Sequence, residues 1–132
     1  MKKVFICARN KYNEETSELS KKLEEMGYEV WYAAKDTPQD LDEKEIYRRN
    51  LELIRGADLF LAYFVRDGHY GIDFAVEVGK ASEMGKQVLG LVNLSADEIQ
   101  DLKDRLDNDI MFNHSFTKIF WITRELFNYL RN

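Results

Sequence analysis

The run Leu59-Phe60-Leu61-Ala62-Tyr63-Phe64, preceded by an Ala57-Asp58 pair, constrains the fold more than any other stretch of the chain. It is apolar at every position, and it is far shorter than the roughly 18 residues of a membrane-spanning helix. A strand with one face in water alternates apolar and polar residues, whereas a strand covered on both faces is apolar throughout. The run therefore predicts a central strand of a parallel sheet that has helices on both sides.

Four more strand-length apolar runs alternate with amphipathic stretches of helix length. We predict strands over residues 4–8, 28–33, 57–64, 87–92 and 118–121, and helices over about 14–26, 42–55, 73–84, 95–106 and 124–130. Ser95 and Glu98 have the spacing of a capping box, which marks a helix start. This alternation predicts an α/β three-layer sandwich with a five-stranded, mostly parallel sheet of the flavodoxin or Rossmann type. Without an internal repeat or a composition break, residues 1–132 are expected to form one domain.

The composition narrows the class of protein. The net charge of −5 argues against binding to polymeric nucleic acid or to an acidic membrane surface. No segment has the pattern of a signal peptide, and the single Cys7 is expected to be a buried, reduced thiol with no disulfide partner. These features predict a soluble, cytoplasmic protein. His69 and His114 are isolated and lack metal-ligand spacing, so neither a metal nor a cofactor is expected.

Asp73 and Glu77 are the principal candidates for chemistry. In a parallel sheet, ligands bind at the carboxyl ends of the strands, so the loops 8–13, 34–41 and 65–73 should line the site. Residues four apart share a helix face, and like charges there are unfavourable by roughly 0.2–0.5 kcal/mol. A structural explanation is also open, with Glu77 paired to Lys80 and Asp73 acting as a helix N-cap. The nearby small residues Gly71, Ala75 and Gly79 favour the functional explanation, because they would let a flat molecule approach the backbone.

The stretch from the third strand to the fourth resembles the nucleoside 2-deoxyribosyltransferase family and its nucleotide N-glycosidase relatives. In that family an apolar strand follows an Ala-Asp pair, and a short loop leads to a helix carrying Glu-aliphatic-Gly-x-Ala. A Gly-Lys-x-aliphatic segment then opens the next strand. The resemblance covers roughly residues 3–93, and its matching segments are Ala57-Asp58, Glu77-Val78-Gly79-Lys80-Ala81 and Gly85-Lys86-Gln87-Val88.

The resemblance implies cleavage or transfer at the N-glycosidic bond of a (2-deoxy)nucleoside or a nucleoside 5′-monophosphate. Glu77 would be the nucleophile, forming a glycosyl-enzyme ester that water or a second base then resolves. A carboxylate suits this role because it offsets the positive charge of an oxocarbenium-like transition state. Asp73 would hold a sugar hydroxyl or steer the leaving base, and two close carboxylates raise the pKa of one of them.

The resemblance also implies a set of substrate-binding residues. These are Phe5, Ala8, Arg9 and Asn10 of the first strand and its loop, together with Asn50, Gly71 and Asn113. Asn50 and Gly71 stand where many members carry acids, which puts efficient base exchange in question. Asn113 and His114 would complete the pocket of a neighbouring subunit, because the family suggests a homo-oligomer. Arg9 and Lys11 either bind a 5′-phosphate or are solvated loop cations.

Other functions share this layout. A TIR-like hydrolase of NAD or a related nucleotide is one alternative, although the first loop lacks the Ser- and aromatic-rich segment usual in TIR domains. A non-catalytic nucleotide-binding module is another. A phosphorylation receiver is disfavoured because no acid follows the first strand, and a flavodoxin because the phosphate loop is absent. Tyr12, Trp31 and Tyr32 either stack on a base or belong to the core.

Overall fold

The computed structural model describes residues 2–132 and contains a five-stranded, entirely parallel sheet with strand order β2-β1-β3-β4-β5. The strands are β1 Lys3–Cys7, β2 Glu29–Trp31, β3 Leu59–Val65, β4 Gln87–Asn93 and β5 Lys118–Phe120. The helices are α1 Asn13–Glu25, α2 Ala33–Asp36, α3 Glu43–Gly56, α4 Gly71–Glu83, α5 Ala96–Asn108, α6 Ile110–Asn113 and α7 Thr123–Arg131. A 3₁₀ turn covers Asn10–Tyr12. The predicted three-layer α/β fold is confirmed.

β3 is the centre of the sheet, as its apolar sequence predicts. All of its residues are buried, and it pairs with β1 on one side and β4 on the other. Alternate side chains point to opposite faces, so the strand contributes to two separate apolar cores. Leu61 and Tyr63 pack with α1 and α7, whereas Phe60 and Phe64 pack with α3, α4 and α5.

The strand order places the switch point of the sheet between β1 and β3. The chain runs outward from β1 to the edge strand β2, and from β3 outward through β4 to β5. The loops that leave β1 and β3 therefore lie side by side at the carboxyl edge and part in opposite directions. In open α/β sheets a ligand crevice forms at this point.

The loop after β3 bends sharply before α4 begins. Arg66 and Gly68 have left-handed φ angles of 66° and 70°, and the Arg105 Nη1 group of α5 donates to the Gly68 carbonyl at 3.2 Å. Gly71 also has a left-handed φ, of 71°, and lies at the start of α4. The helix therefore begins two residues earlier than predicted. Tyr70 is its N-cap, so the interpretation of Asp73 as an N-cap is wrong.

Short helices account for the other differences from the sequence prediction. α2 occupies part of the expected loop 34–41, and α6 follows α5 almost directly. Both have only four residues, too few to show a helical period in the sequence. Among residues 2–132, no helix is long and apolar enough to cross a bilayer.

Candidate active site

Glu77 lies at the meeting point of three elements at the carboxyl edge of the sheet. It is half-buried on α4, one turn after the exposed Asp73. Asn50 of α3 faces it, and the Asn50 Nδ2 group donates to Glu77 Oε2 at 3.5 Å. Cys7, at the end of β1, supplies a buried thiol beside the carboxyl group. The carboxylate is thus held among groups from three separate parts of the chain.

The surroundings of Glu77 change its acidity. Burial raises its pKa to about 7, a hydrogen bond from the Cys7 thiol lowers it, and the charge of Asp73 raises it. Burial also raises the pKa of the Cys7 thiol well above its usual range, and the neighbouring Glu77 adds to that rise. Cys7 therefore stays protonated, and its thiol, beside Glu77, also donates to the Phe74 carbonyl at 3.9 Å. Near neutral pH, Glu77 exists in comparable amounts as a carboxylate and as a carboxylic acid.

Glu77 borders two cavities. The first, of about 440 Å³, opens between the β1 and β3 loops and the start of α4. The second, of about 430 Å³, lies between α3 and α4. Both cavities are lined by Asp73, Glu77, Asn50 and Ile46, so these four residues lie between them. The first cavity has a volume typical of small-molecule sites. Its lining consists of Cys7, Ala8, Arg9, Asn10, Ala33, Gln39, Ile46, Asn50, Tyr70, Gly71, Ile72, Asp73, Phe74 and Glu77.

A chain of polar contacts connects Asn50 to the first loop. The Thr37 hydroxyl donates to Asn50 Oδ1 at 2.6 Å, and Gln39 Nε2 donates to the Thr37 carbonyl at 2.7 Å. Asn10 Nδ2 in turn donates to Gln39 Oε1 at 3.4 Å. Thr37 and Gln39 are site residues that the sequence analysis missed. The sequence indicated them only through their place in loop 34–41, which was expected to line the site at the carboxyl ends of the strands.

Most of the predicted site residues meet at the first cavity. Ala8, Arg9, Asn10, Asn50, Gly71, Asp73 and Glu77 all line it. Two small residues of the proposed flat-ligand face, Ala75 and Gly79, line neither cavity, because they lie on another side of α4.

Three other predicted residues lie away from the cavity linings. Phe5 is fully buried in the middle of β1, where its ring stacks on Phe60 at 5.7 Å, so its side chain cannot reach a ligand in this structure. Lys11 projects over the Tyr12 ring instead. Asn113 lies in α6 and lines neither cavity. Tyr12 and Tyr32 belong to the core, and Trp31 packs against it.

Tyr70 forms an aromatic wall that the sequence analysis did not identify. It lines the first cavity and stacks on Phe112 of α6 at 4.3 Å. Its hydroxyl donates to Asp109, and the Arg105 guanidinium lies 5.5 Å from its ring centroid. Burial, with the Asp109 carboxylate, raises the pKa of Tyr70 to about 12, so the hydroxyl stays protonated. The sequence could have indicated Tyr70, because it directly precedes Gly71 in the loop 65–73 that was expected to line the site.

Within residues 2–132, no group of three or more His, Cys, Asp or Glu side chains is arranged to hold a metal ion. The chemical groups that line the first cavity are carboxylates, amides, one guanidinium, one thiol and the two aromatic rings of Tyr70 and Phe74. Carboxylate and amide groups can hold hydroxyl groups, and an aromatic ring offers a flat apolar surface.

The fold and site together define an α/β protein with a carboxylate of near-neutral pKa at the switch point of its sheet. The sequence model of the nucleoside 2-deoxyribosyltransferase family matches residues 4–111. The chain therefore belongs to this family, as the sequence resemblance predicted. No curated protein matches the chain.

Solved structures share the fold at low sequence identity. The 2-deoxyribosyltransferase of Bacillus psychrosaccharolyticus superposes with a TM-score of 0.69 at 16% identity, over 94% of this chain and 89% of that one. The CMP N-glycosidase BcmB of Clostridium botulinum gives 0.59 at 23% identity, over 98% of both chains. The TIR domains of the activated Roq1 resistosome give 0.57 at 13% identity, over 87% of this chain and 81% of theirs.

Proposed function

We propose that residues 1–132 act as one catalytic domain that cleaves or transfers the N-glycosidic bond of a (2-deoxy)nucleoside or nucleoside 5′-monophosphate, with Glu77 as nucleophile. The observation that carries this proposal is the half-buried Glu77 carboxyl group, of pKa about 7, on a cavity of about 440 Å³ at the sheet switch point. Membership of the nucleoside 2-deoxyribosyltransferase family supports this class of chemistry.

In the proposed reaction, ionised Glu77 attacks the anomeric carbon of the sugar. A carboxylate-to-carbon bond forms, the carbon-to-nitrogen bond breaks, and the bonding electrons leave with the base, which takes up a proton from water. Water or a second base then attacks the anomeric carbon, gives up one proton to the solvent, and displaces the carboxylate, so that free Glu77 is released. Partial desolvation favours this step, because a poorly hydrated carboxylate gains more from the developing positive charge of the sugar.

The neighbours of Glu77 have distinct proposed roles. Asp73 borders both cavities and is exposed, so it is placed to hold a sugar hydroxyl or to orient the base. The Asn50 amide donates to the nucleophile and cannot itself take up a proton. Tyr70 offers a flat surface to the sugar or the base.

Arg9 supports the use of a 5′-monophosphate. Its side chain is half-buried and lines the first cavity beside Asn10. A guanidinium group binds phosphate oxygens through paired hydrogen bonds. If a monophosphate is the substrate, Arg9→Met should lower base release from the nucleotide much more than from the corresponding nucleoside.

We also infer that the protein self-associates. Ile72 and Met111 are 82% and 86% exposed, and Val76 is exposed as well. Ile72 and Val76 lie on α4 beside the two cavities, so a second copy that covers them would also enclose the site. Light scattering tests this inference, with Ile72→Asp expected to lower the molar mass in solution to that of one chain, 15.6 kDa.

The deciding experiment measures the base released from a panel of ribo- and deoxynucleosides, their 5′-monophosphates and NAD, with and without a second base. Wild type, Glu77→Gln and Glu83→Gln are compared, since Glu83 is an exposed carboxylate near the end of the same helix. We expect release that Glu77→Gln abolishes and Glu83→Gln leaves unchanged. Acid quenching and peptide mapping should locate a sugar adduct on Glu77.

The panel also separates the alternatives. Release from NAD alone would favour a TIR-like hydrolase, for which the shared fold is the supporting observation. Binding without release from any compound would favour a non-catalytic nucleotide-binding module. Asn50 and Gly71, which stand in place of acids common in the family, support that alternative.

A further inference from the structure

We propose that Thr37 is a positioning residue for Glu77, because its hydroxyl holds the Asn50 side chain with the NH₂ group turned towards the carboxylate. The proposal deepens the proposed function, since it takes Glu77 to be the reacting group. Thr37 touches neither Glu77 nor, in this structure, either cavity, and it acts through Asn50.

The hydrogen bonds fix the direction of the Asn50 amide. An amide has a donor end and an acceptor end of nearly equal size, so its orientation depends on its partners. An ionised carboxylate only accepts hydrogen bonds, so the NH₂ end must face Glu77, where Nδ2 lies 3.5 Å from Oε2. The acceptor end, Oδ1, then faces the Thr37 hydroxyl at 2.6 Å. A threonine hydroxyl can donate there, and a valine side chain of the same shape cannot.

Thr37 is well placed to hold this orientation. It is 2% exposed, so water cannot readily take the place of its hydroxyl. Its backbone N–H donates to the Ala33 carbonyl at 2.9 Å, and its carbonyl accepts from Gln39 Nε2 at 2.7 Å. With the backbone held on both sides, the hydroxyl occupies a defined position beside α3. Gln39 lines the first cavity, so a ligand bound there adjoins the same network.

Loss of the Thr37 hydroxyl changes the proton affinity of Glu77. With no donor at its oxygen, the Asn50 amide is free to rotate and present Oδ1 to the carboxyl group, which favours the protonated acid. Thr37 makes no hydrogen bond to the other titratable and charged groups that line the cavities at Glu77, so we expect its replacement to leave them in place. These groups are Asp73 and Lys80 of α4, Cys7 of β1, Arg9 of the first loop, Glu43 and Tyr47 of α3, and Tyr70 before α4.

The test compares wild type with Thr37→Val and Thr37→Ser, and Thr16→Val serves as the matched control. Thr16 is also 2% exposed, and its hydroxyl donates to the Tyr12 carbonyl at 3.0 Å, outside both cavities. Carbon NMR follows the Glu77 carboxyl signal with pH in each protein. Thr37→Val should raise its midpoint by about half a unit to one unit. Thr37→Ser should restore the wild-type midpoint, and Thr16→Val should leave it unmoved.

A second measurement needs no variant. In wild type, the Asn50 side-chain amide signals should shift with pH at the same midpoint as Glu77. An Asn50 signal that does not follow Glu77, a Thr37→Val midpoint equal to wild type, or an equal rise in Thr16→Val overturns the proposal.

The NMR readout keeps this proposal separate from the proposed function. If wild type releases no base but the Glu77 midpoint moves as expected, the catalytic assignment fails, whereas the control of Glu77 protonation by Thr37 through Asn50 stands. If base is released and the midpoint does not move, the positioning role fails alone. Where base is released, the acid limb of its pH profile should shift with the NMR midpoint in Thr37→Val.

Discussion

The two faces of α4 show how one helix serves both folding and chemistry. Its inner face presents Phe74, Val78 and Ala81 to the sheet, all buried in the apolar core. Its other face brings Asp73 and Glu77 to the two cavities. Burial of the first face is favourable because apolar surface leaves water. Partial burial of Glu77 is unfavourable for its charged form, as the rise of its pKa shows. Packing of the inner face therefore has to offset the unfavourable desolvation of the Glu77 carboxylate on the site face.

We expect the largest effect on the free energy of unfolding from replacing Glu77, the half-buried carboxylate of the site face. The folded-state pKa of Glu77, about 7, lies above its ordinary value of 4.5. The folded protein therefore binds a proton that the unfolded chain has released, and stability falls as pH rises between these values. From pH 5 to pH 8, wild type should lose about 2–3 kcal/mol relative to Glu77→Gln. Urea unfolding at both pH values measures this, and parallel losses in the two proteins would contradict it.

The second prediction concerns a substitution that weakens the packing of the inner face of α4 against the sheet. Val78 is fully buried against the sheet, and Val78→Ala removes two methyl groups, so the free energy of unfolding should fall by about 2 kcal/mol. Val76, two residues earlier, is 46% exposed in the single chain, and at a protein concentration where the chain is monomeric Val76→Ala should change stability by less than about 0.5 kcal/mol. Chemical denaturation of both variants checks the contrast between the faces. Equal losses would show that α4 does not pack as described.

The third prediction concerns the junction of loop and helix, where the site face begins. Gly71 has a φ of 71°, which is unfavourable for a residue with a Cβ atom. Gly71→Ala should therefore lower the free energy of unfolding by about 1 kcal/mol, although nothing lies within 4 Å of the added carbon. Chemical denaturation of Gly71→Ala and Gly71→Asn measures this, and Gly71→Asn should give the smaller loss because asparagine adopts this conformation more readily.

The smallest effect is expected at Gly79, which has ordinary helical geometry and open space where a Cβ would stand. Gly79→Ala should raise the free energy of unfolding by up to about 1 kcal/mol, since alanine favours the helix. Base release should stay at the wild-type level because Gly79 lines neither cavity. A large fall in activity would instead support the sequence-based idea that Gly79 admits a flat ligand.

Regular elements with a clear pattern were predictable from the sequence. β3 is apolar throughout because both of its faces are covered, and α4 carries its apolar residues at helical spacing. The meeting of Glu77 with Arg9 and Asn10 also followed, because carboxyl ends of parallel strands share an edge. Phe5 was predicted to bind substrate because the family resemblance places its segment at the site. Whether one side chain of that segment faces a ligand or the core depends on its place along the strand, and Phe5 faces the core.

The amino-acid sequence by itself determined the layer order, the central strand and the helix that carries the carboxylate pair, since these depend on local periodicity and length. Only the tertiary structure decided the acidity of Glu77 and the network behind it. Thr37 and Asn50 are thirteen residues apart, and Asn50 and Glu77 are twenty-seven apart. Contacts between such distant positions leave no periodic pattern in a single sequence. The desolvation that raises the pKa of Glu77 exists only once β1, α3 and α4 have packed around it.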